Sequence, residues 1–309
     1  MGRLDATGWQ RGGRARSAVM GHIEATTPLR RWLGFDCDRG GNVSFIIVEK
    51  PVPTVTVITL NRPERMNAMA FDVMLPLKEQ LESVSHDNET RAVIITGAGE
   101  GFCSGADQKV SGTIPHIDGL TPTVIAQRAG KLLDDIILGI QDMPQPVIAA
   151  VNGAAIGGGL CLAAACDIRI ASPEAYFRAA GINNGLTATE LGLSFILPRI
   201  IGAGRSSELM LTGRDMGIQE AESAGLVSRV VPRSELLPTA VEIAEQIASL
   251  SRVGIELTKK MILAGLESTS FRSHMRNEMT AQLYVRLTTK NWDESVAARS
   301  EGRKPIFRD

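Results

Sequence analysis

Two glycine-rich segments carry the backbone types best suited to holding a negatively charged group. The first, Gly99 to Lys109 (GEGFCSGADQK), follows directly on the apolar run AVIITG. Glycine after a strand tolerates positive φ and lets successive backbone N–H groups face a ligand. This segment is either an anion cradle or a tight strand-to-helix turn. The second, AVNGAAIGGGLCLAAACDIRIAS, sets Gly157 to Gly159 immediately ahead of an apolar helical run. The free N–H groups of a helix start, backed by the helix dipole, favour negative charge, although close helix packing also selects small residues. The two segments together make the stronger case.

Proton transfer needs a titratable side chain within reach. Glu190, in NNGLTATELG, is either a free acid or half of a capping box with Thr187, in which Glu reaches back to an unbonded N–H. Asp107 follows a glycine turn, where Asp more often bonds nearby backbone than acts as a base. Cys161 sits at a helix start, a position that lowers a thiol pKa, but Leu160 and Leu162 to Ala165 around it are apolar and favour a packing role. His116 and Asp118 fall in SGTIPHIDGLTP, expected to be a mobile loop over the site. No HExxH, CxxC or Cys/His cluster has ligand spacing, so no metal is expected.

These residues need a scaffold, and the chain of 309 residues is long enough to build one. β-Branched runs at VSFIIVEK and TVTVITL, joined through Pro51 and Pro53, predict a hairpin. AVIITG and PVIAAV predict buried strands, DIRIAS and YFRA two more, and VSRVV a last edge strand. Helical spacing over 71–84 and 120–140 alternates with them, which predicts an α/β fold with parallel sheet character. After Pro232 helices follow at 236–250, 254–266, 271–287 and 293–302. Such a tail packs its apolar face on its own core or on a neighbouring subunit.

Composition narrows the function. Lys plus Arg number 33 against 34 for Asp plus Glu, so no basic excess draws nucleic acid or anionic lipid. No apolar stretch reaches about 18 uninterrupted residues, so no membrane span is expected. Four scattered cysteines fit a reducing cytoplasm better than a disulfide framework. Residues 1–42 show no sustained period and no secretory signal, and are expected to be a mobile extension.

Four blocks in order, LNRPERMNAM, GEGFCSGADQK, AVNGAAIGGGLCLAAACDIRIAS and GLSFILPRIIGAGRSSELMLTGRDMGIQEAESAGLVSRVVP, make residues 43–309 resemble the crotonase, or enoyl-CoA hydratase/isomerase, superfamily. The resemblance implies an α/β spiral of ββα units over 43–235 and an α-helical oligomerisation region over 236–309, assembling as a homotrimer or homohexamer. It implies an acyl-CoA thioester as substrate, with no cofactor beyond its coenzyme A moiety. The backbone N–H groups matching the family's thioester-oxygen donors are those of Ala106 and Gly158. Arg65 to Ala68 and Asp107, Gln108 and Lys109 match segments lining the coenzyme A arm. Arg65 and Lys109 either meet phosphates or are solvated surface charges.

The sequence departs from its relatives at the proton-transfer positions. Where typical hydratases carry Glu two residues past the last glycine, this chain has Cys161; where they carry Glu four residues after a Phe, it has Gly181. Glu190 is the best remaining acid, one residue from where the dienoyl-CoA isomerase branch carries a catalytic Asp. Isomerisation or another one-acid reaction is expected. A non-catalytic acyl-CoA binding protein is the alternative, and hydrolysis through Cys161 a third. At the C-terminus Arg299 and Gly302 stand where relatives carry a Phe and a Lys, respectively, that reach a neighbour's coenzyme A, with Arg299 or Arg303 as substitutes or exposed helix charges.

Overall fold

A computed structural model describes residues 44–309; the expected extension over 1–42 lies outside the described residues. Strand β1 (Ile46–Val52) pairs antiparallel with β2 (Val55–Leu60), as the β-branched runs predict. Every later pair in the main sheet is parallel: β3 (Ala92–Gly97), β4 (Val147–Val151), β6 (Ile168–Ala171) and β9 (Arg229–Val230), in the order β1-β2-β3-β4-β6-β9.

The central strands are apolar on both faces because helices cover both. Ile58, Leu60, Val93, Ile95 and Ala149 face helices α1 (Phe71–Ser85) and α2 (Pro122–Asp142) in one core. The alternate residues Val55, Val57, Ile94 and Ile148 face Leu236, Ala240 and Ala244 of α7 (Arg233–Ala248) on the other side. The head of the expected tail region thus lies on the sheet.

A small second sheet, β5 (Ala154–Ile156), β7 (Tyr176–Arg178) and β8 (Met216–Gly217), carries α3 (Gly158–Ala165), every residue of which is buried. Helices α4 (Leu193–Ile201), α5 (Ala203–Thr212) and α6 (Ile218–Ser223) complete the α/β body.

Helices α8 (Arg252–Glu267), α9 (Phe271–Thr288) and α10 (Asn291–Glu301) leave that body. In α8 only Lys259 is buried, its Nζ donating to the Ile140 and Gln145 carbonyls and pairing with Asp167 at 2.9 Å. Helix α9 buries nothing, and Phe271, Met279 and Leu287 stand exposed.

The capping box does not form. No helix starts after Thr187; α4 begins at Leu193 behind Gly192, whose positive φ of 77° supplies the turn instead.

Candidate active site

The first glycine segment is laced between two others. On one side Ser104 N donates to Met66 O, Met69 N to Gly105 O and Asp107 N to Met69 O at 3.0, 2.7 and 3.1 Å. On the other, Cys103 N donates to Ala154 O and Ile156 N to Cys103 O at 3.0 and 2.9 Å. This ladder ties the strand β5, which feeds the triple glycine, to the GAD turn. Contact this close leaves no room for side chains: a Cβ on Gly159 would stand 2.0 Å from Cys103 O, and one on Gly153 1.9 Å from Glu100 O.

Two buried asparagines hold the 97–101 turn in place. Asn67 Nδ2 donates to Ala98 O and Gly101 O while its Oδ1 accepts from Arg62 N. Asn152 Nδ2 donates to Gly99 O and Gly101 O, and its Oδ1 accepts from Gly97 N. Buried carbonyls of a turn must find donors somewhere. Sequence reasoning missed both residues; Asn152 adjoins Gly153 of the second glycine block, and Asn67 adopts a φ of 55°, which Asn tolerates better than most side chains.

Within this lattice the N–H groups of Ala106 and Gly158 are among those with no hydrogen bond among the described residues. Ala106 N falls between the rungs at Met69 and Asp107, and Gly158 N belongs to the first turn of α3, where N–H groups have no partner inside the helix. Ala106, Gly158 and Glu190 line one cavity of about 60 Å³. A Cβ on Gly158 would lie 2.3 Å from Met69 Sδ, so a larger residue there must displace that side chain.

Glu190 reaches this cavity from the loop ahead of α4. Leu191, at φ 49°, and Gly192 bend the chain, while Glu190 O accepts from Leu193 N at 2.9 Å and from Cys161 Sγ at 3.5 Å. Its carboxyl is half-buried and has no hydrogen bond or ion pair among the described residues, with Oε1 3.3 Å from where a Gly157 Cβ would be. Burial disfavours its ionised form and raises its pKa.

Asp107 is the opposite. Its side chain is fully buried, and burial alone would raise its pKa. Hydrogen bonds from Arg65 and from the Lys109 and Val110 amides outweigh that and hold it at about 2. Arg62 also pairs with it at 2.9 Å. Asp107 therefore braces the turn, and Arg65 faces inward to it.

The glutamate absent at position 181 could not be restored by simple substitution, because Thr187 O lies 1.8 Å from where a Gly181 Cβ would be. Cys161 is buried beneath the loop. Burial, with the Glu190 charge nearby, pushes its thiol well above the ordinary range, so it is a neutral group rather than a thiolate.

The other sequence candidates spread outward. Ala68 is buried beside the Arg65 turn, Gln108 reaches Asn184 at 3.4 Å, and Lys109 is exposed. His116 and Asp118 are exposed and do not line the cavity, although Ser111 of the same loop does. Its Ile114 packs under Phe71, Ile125 and Ala129. Arg299 is exposed, Gly302 ends α10 at φ 66°, and Arg303 is taken up by Glu294 and Glu301.

Residues 52–309 match the family described as Enoyl-CoA hydratase/isomerase. The chain is 60% identical over 267 residues, 86% of its length and 94% of the relative's, to a protein of Mycobacterium bovis named "Probable enoyl-CoA hydratase echA12". It is similar to a solved structure from Mycobacterium abscessus titled a probable enoyl-CoA hydratase/isomerase, at 61% identity and a TM-score of 0.82, covering 86% of this chain and 99% of that one. A second structure, titled a monofunctional enoyl CoA isomerase from M. smegmatis, is 52% identical with a TM-score of 0.64, covering 75% and 99%. With the spiral core, the helical tail and the glycine-built cavity agreeing, the chain belongs to the enoyl-CoA hydratase/isomerase family of the crotonase superfamily.

Proposed function

We propose that this chain shifts a carbon–carbon double bond within an enoyl-CoA thioester, using Glu190 as its one proton carrier. The observation that carries this reading is a carboxyl group on the cavity wall with no bonding partner among the described residues, in a chain whose two hydratase glutamate positions are Cys161 and Gly181. Ionised Glu190 takes a proton from the α-carbon of a 3-enoyl thioester. The electron pair moves onto the thioester oxygen, where the Ala106 and Gly158 N–H groups meet it. As the enolate collapses, the same carboxylic acid returns the proton to the γ-carbon, leaving the 2-enoyl isomer. Atoms and charge balance with no water consumed.

Donors aimed at charge that develops only during reaction lower the barrier, each by about 2.7–4 kcal/mol in comparable enzymes. A carboxyl with a raised pKa suits both halves of the cycle, as acceptor and then donor near neutral pH. Similarity to a protein titled a monofunctional enoyl CoA isomerase supports the same direction.

The coenzyme A arm is proposed to cross the cavity mouth along Arg65 to Ala68 and Asp107 to Lys109, with no other cofactor, in the cytoplasm. The exposed apolar residues of α8 to α10 are proposed to meet in a homotrimer or homohexamer, which the scattering mass of the purified protein reads directly; a monomeric mass would refute it.

The decisive experiment is Glu190→Gln. Turnover of 3-hexenoyl-CoA to its 2-enoyl isomer is expected to fall by at least about a hundredfold while thioester binding persists. Undiminished turnover would exclude Glu190, and binding without any turnover in the parent chain would favour a non-catalytic acyl-CoA binding protein.

A further inference from the structure

We propose that the cavity admits short acyl chains, hexanoyl rather than dodecanoyl, and that Met74 and Leu133 are the side chains that stop longer ones. This rests on the reading that an acyl thioester enters the cavity, and not on the chemistry done there.

The glycine cradle and side chains of helices α1 and α2 line one cavity. Met69 and Leu191 flank the Gly158 amide: a Cβ on Gly158 would lie 2.3 Å from Met69 Sδ and 3.7 Å from Leu191 Cδ1. Phe71 and Met74 of α1 and Leu133 of α2 line the same space and in this proposal form its far wall. The cavity volume is about 60 Å³, far below the roughly 300–1,000 Å³ of ordinary ligand pockets.

The far wall is backed by solid core. One turn beyond Met74 on α1 is Leu77, fully buried, and one turn beyond Leu133 on α2 are Ile136 and Ile137, 1% and 5% exposed; all three belong to the cluster that joins α1, α2 and the sheet. Met74 itself has no exposed surface. A chain that outgrows the cavity must push into an interior packed like an organic crystal, forcing rotamer and backbone shifts. Leu133 is only half-buried, so its truncation opens the wall with less disturbance of the fold.

Calorimetric titration of the full chain with hexanoyl-CoA, dodecanoyl-CoA and free coenzyme A tests this. Hexanoyl-CoA is expected to bind at least about tenfold more tightly than dodecanoyl-CoA, and Met74→Ala or Leu133→Ala to shift that ratio at least about tenfold toward the longer chain, in the range one or more methylenes are worth in an apolar pocket. Leu133→Ala carries the test if Met74→Ala fails to fold. Dodecanoyl-CoA binding as tightly as hexanoyl-CoA in the parent, a ratio unmoved in a folded variant, or thioesters binding no better than free coenzyme A would each overturn the proposal. Saturated thioesters have no double bond to move, so failure here is distinct from failure of Glu190 as proton carrier, which the hexenoyl-CoA turnover assay reads on its own.

Discussion

Asp107 and Glu190 line the same cavity, and the fold treats their carboxyl groups in opposite ways. Asp107 is sealed from solvent and surrounded by donors: two guanidinium groups and two backbone amides hold it ionised. Glu190 is half-buried and has no donor among the described residues, and burial holds its proton more tightly than usual. The difference separates bracing from chemistry. A carboxylate with every lone pair engaged stabilises its neighbours and has nothing left with which to accept a proton. A carboxyl left unpartnered in an apolar pocket costs stability, and that cost makes sense where a proton must be exchanged.

The comparison breaks most readily at Asp107. Asp107→Ala leaves Arg65, whose side chain is 28% exposed, without a counter-charge, leaves Arg62, 12% exposed, with only Glu64 at 3.9 Å, and frees the Lys109 and Val110 amides. Removing one partner of a largely buried pair typically costs 3–5 kcal/mol. Partial exposure of the arginines puts the expected loss near the lower end, about 3 kcal/mol, read by urea denaturation. If stability is unchanged, Asp107 is not the brace that its contacts indicate. Glu190→Gln is expected to do the reverse, removing turnover while leaving stability at neutral pH equal or slightly higher.

The two carboxyls also pull the pH profile in opposite directions. Asp107 sits at about 2, below its ordinary value near 3.9, so its stabilising contribution is complete above that ordinary value. It is lost as pH falls toward 2, a change on the order of 2 kcal/mol. Glu190 is raised, so the fold favours its protonated form. Its contribution is complete below the ordinary value near 4.3 and disappears as pH rises through the raised value. Stability curves of Asp107→Asn and Glu190→Gln should therefore differ from the parent on different sides: the first loses the acid-side slope, the second the decline at higher pH. Identical deviations in both variants would show that the two sites are not distinguished by environment.

Much of the scaffold was legible in the chain because its signals are local. Runs such as AVIITG and VIAAV are apolar on both faces, as buried parallel strands must be, and the two glycine blocks announce close backbone approach. What sequence could not show is partnership across distance. Asn67 and Asn152 bond carbonyls more than thirty residues away, and nothing local marks Asp107 as the partner of Arg62 and Arg65. In the small sheet YFRA signalled β7, but β5 and β8, three and two residues long, are too short to show a period. Thr187 and Glu190 have capping-box spacing, but spacing alone does not start a helix, and the positive φ of Leu191 and Gly192 carries Glu190 to the cavity instead.

Cys161 gives the smallest expected effect and the sharpest separation between packing and reactivity. It stands where hydratases carry a glutamate, its Sγ lies 3.5 Å from the Glu190 carbonyl oxygen, and it is the fourth residue of α3, whose first residue lines the cavity. Each of these invites a nucleophilic role. Against it stands burial, which keeps the thiol protonated, and a neutral thiol is a weak nucleophile. Cys161→Ala removes one weak S–H contact and a small buried volume. The expected cost is about 1 kcal/mol of stability, with turnover of 3-hexenoyl-CoA within about fivefold of the parent. A nucleophile's removal would instead abolish turnover by orders of magnitude, and an acyl adduct on the parent's Cys161, seen by mass spectrometry, would return the chemistry to sulfur and make Glu190 its accessory.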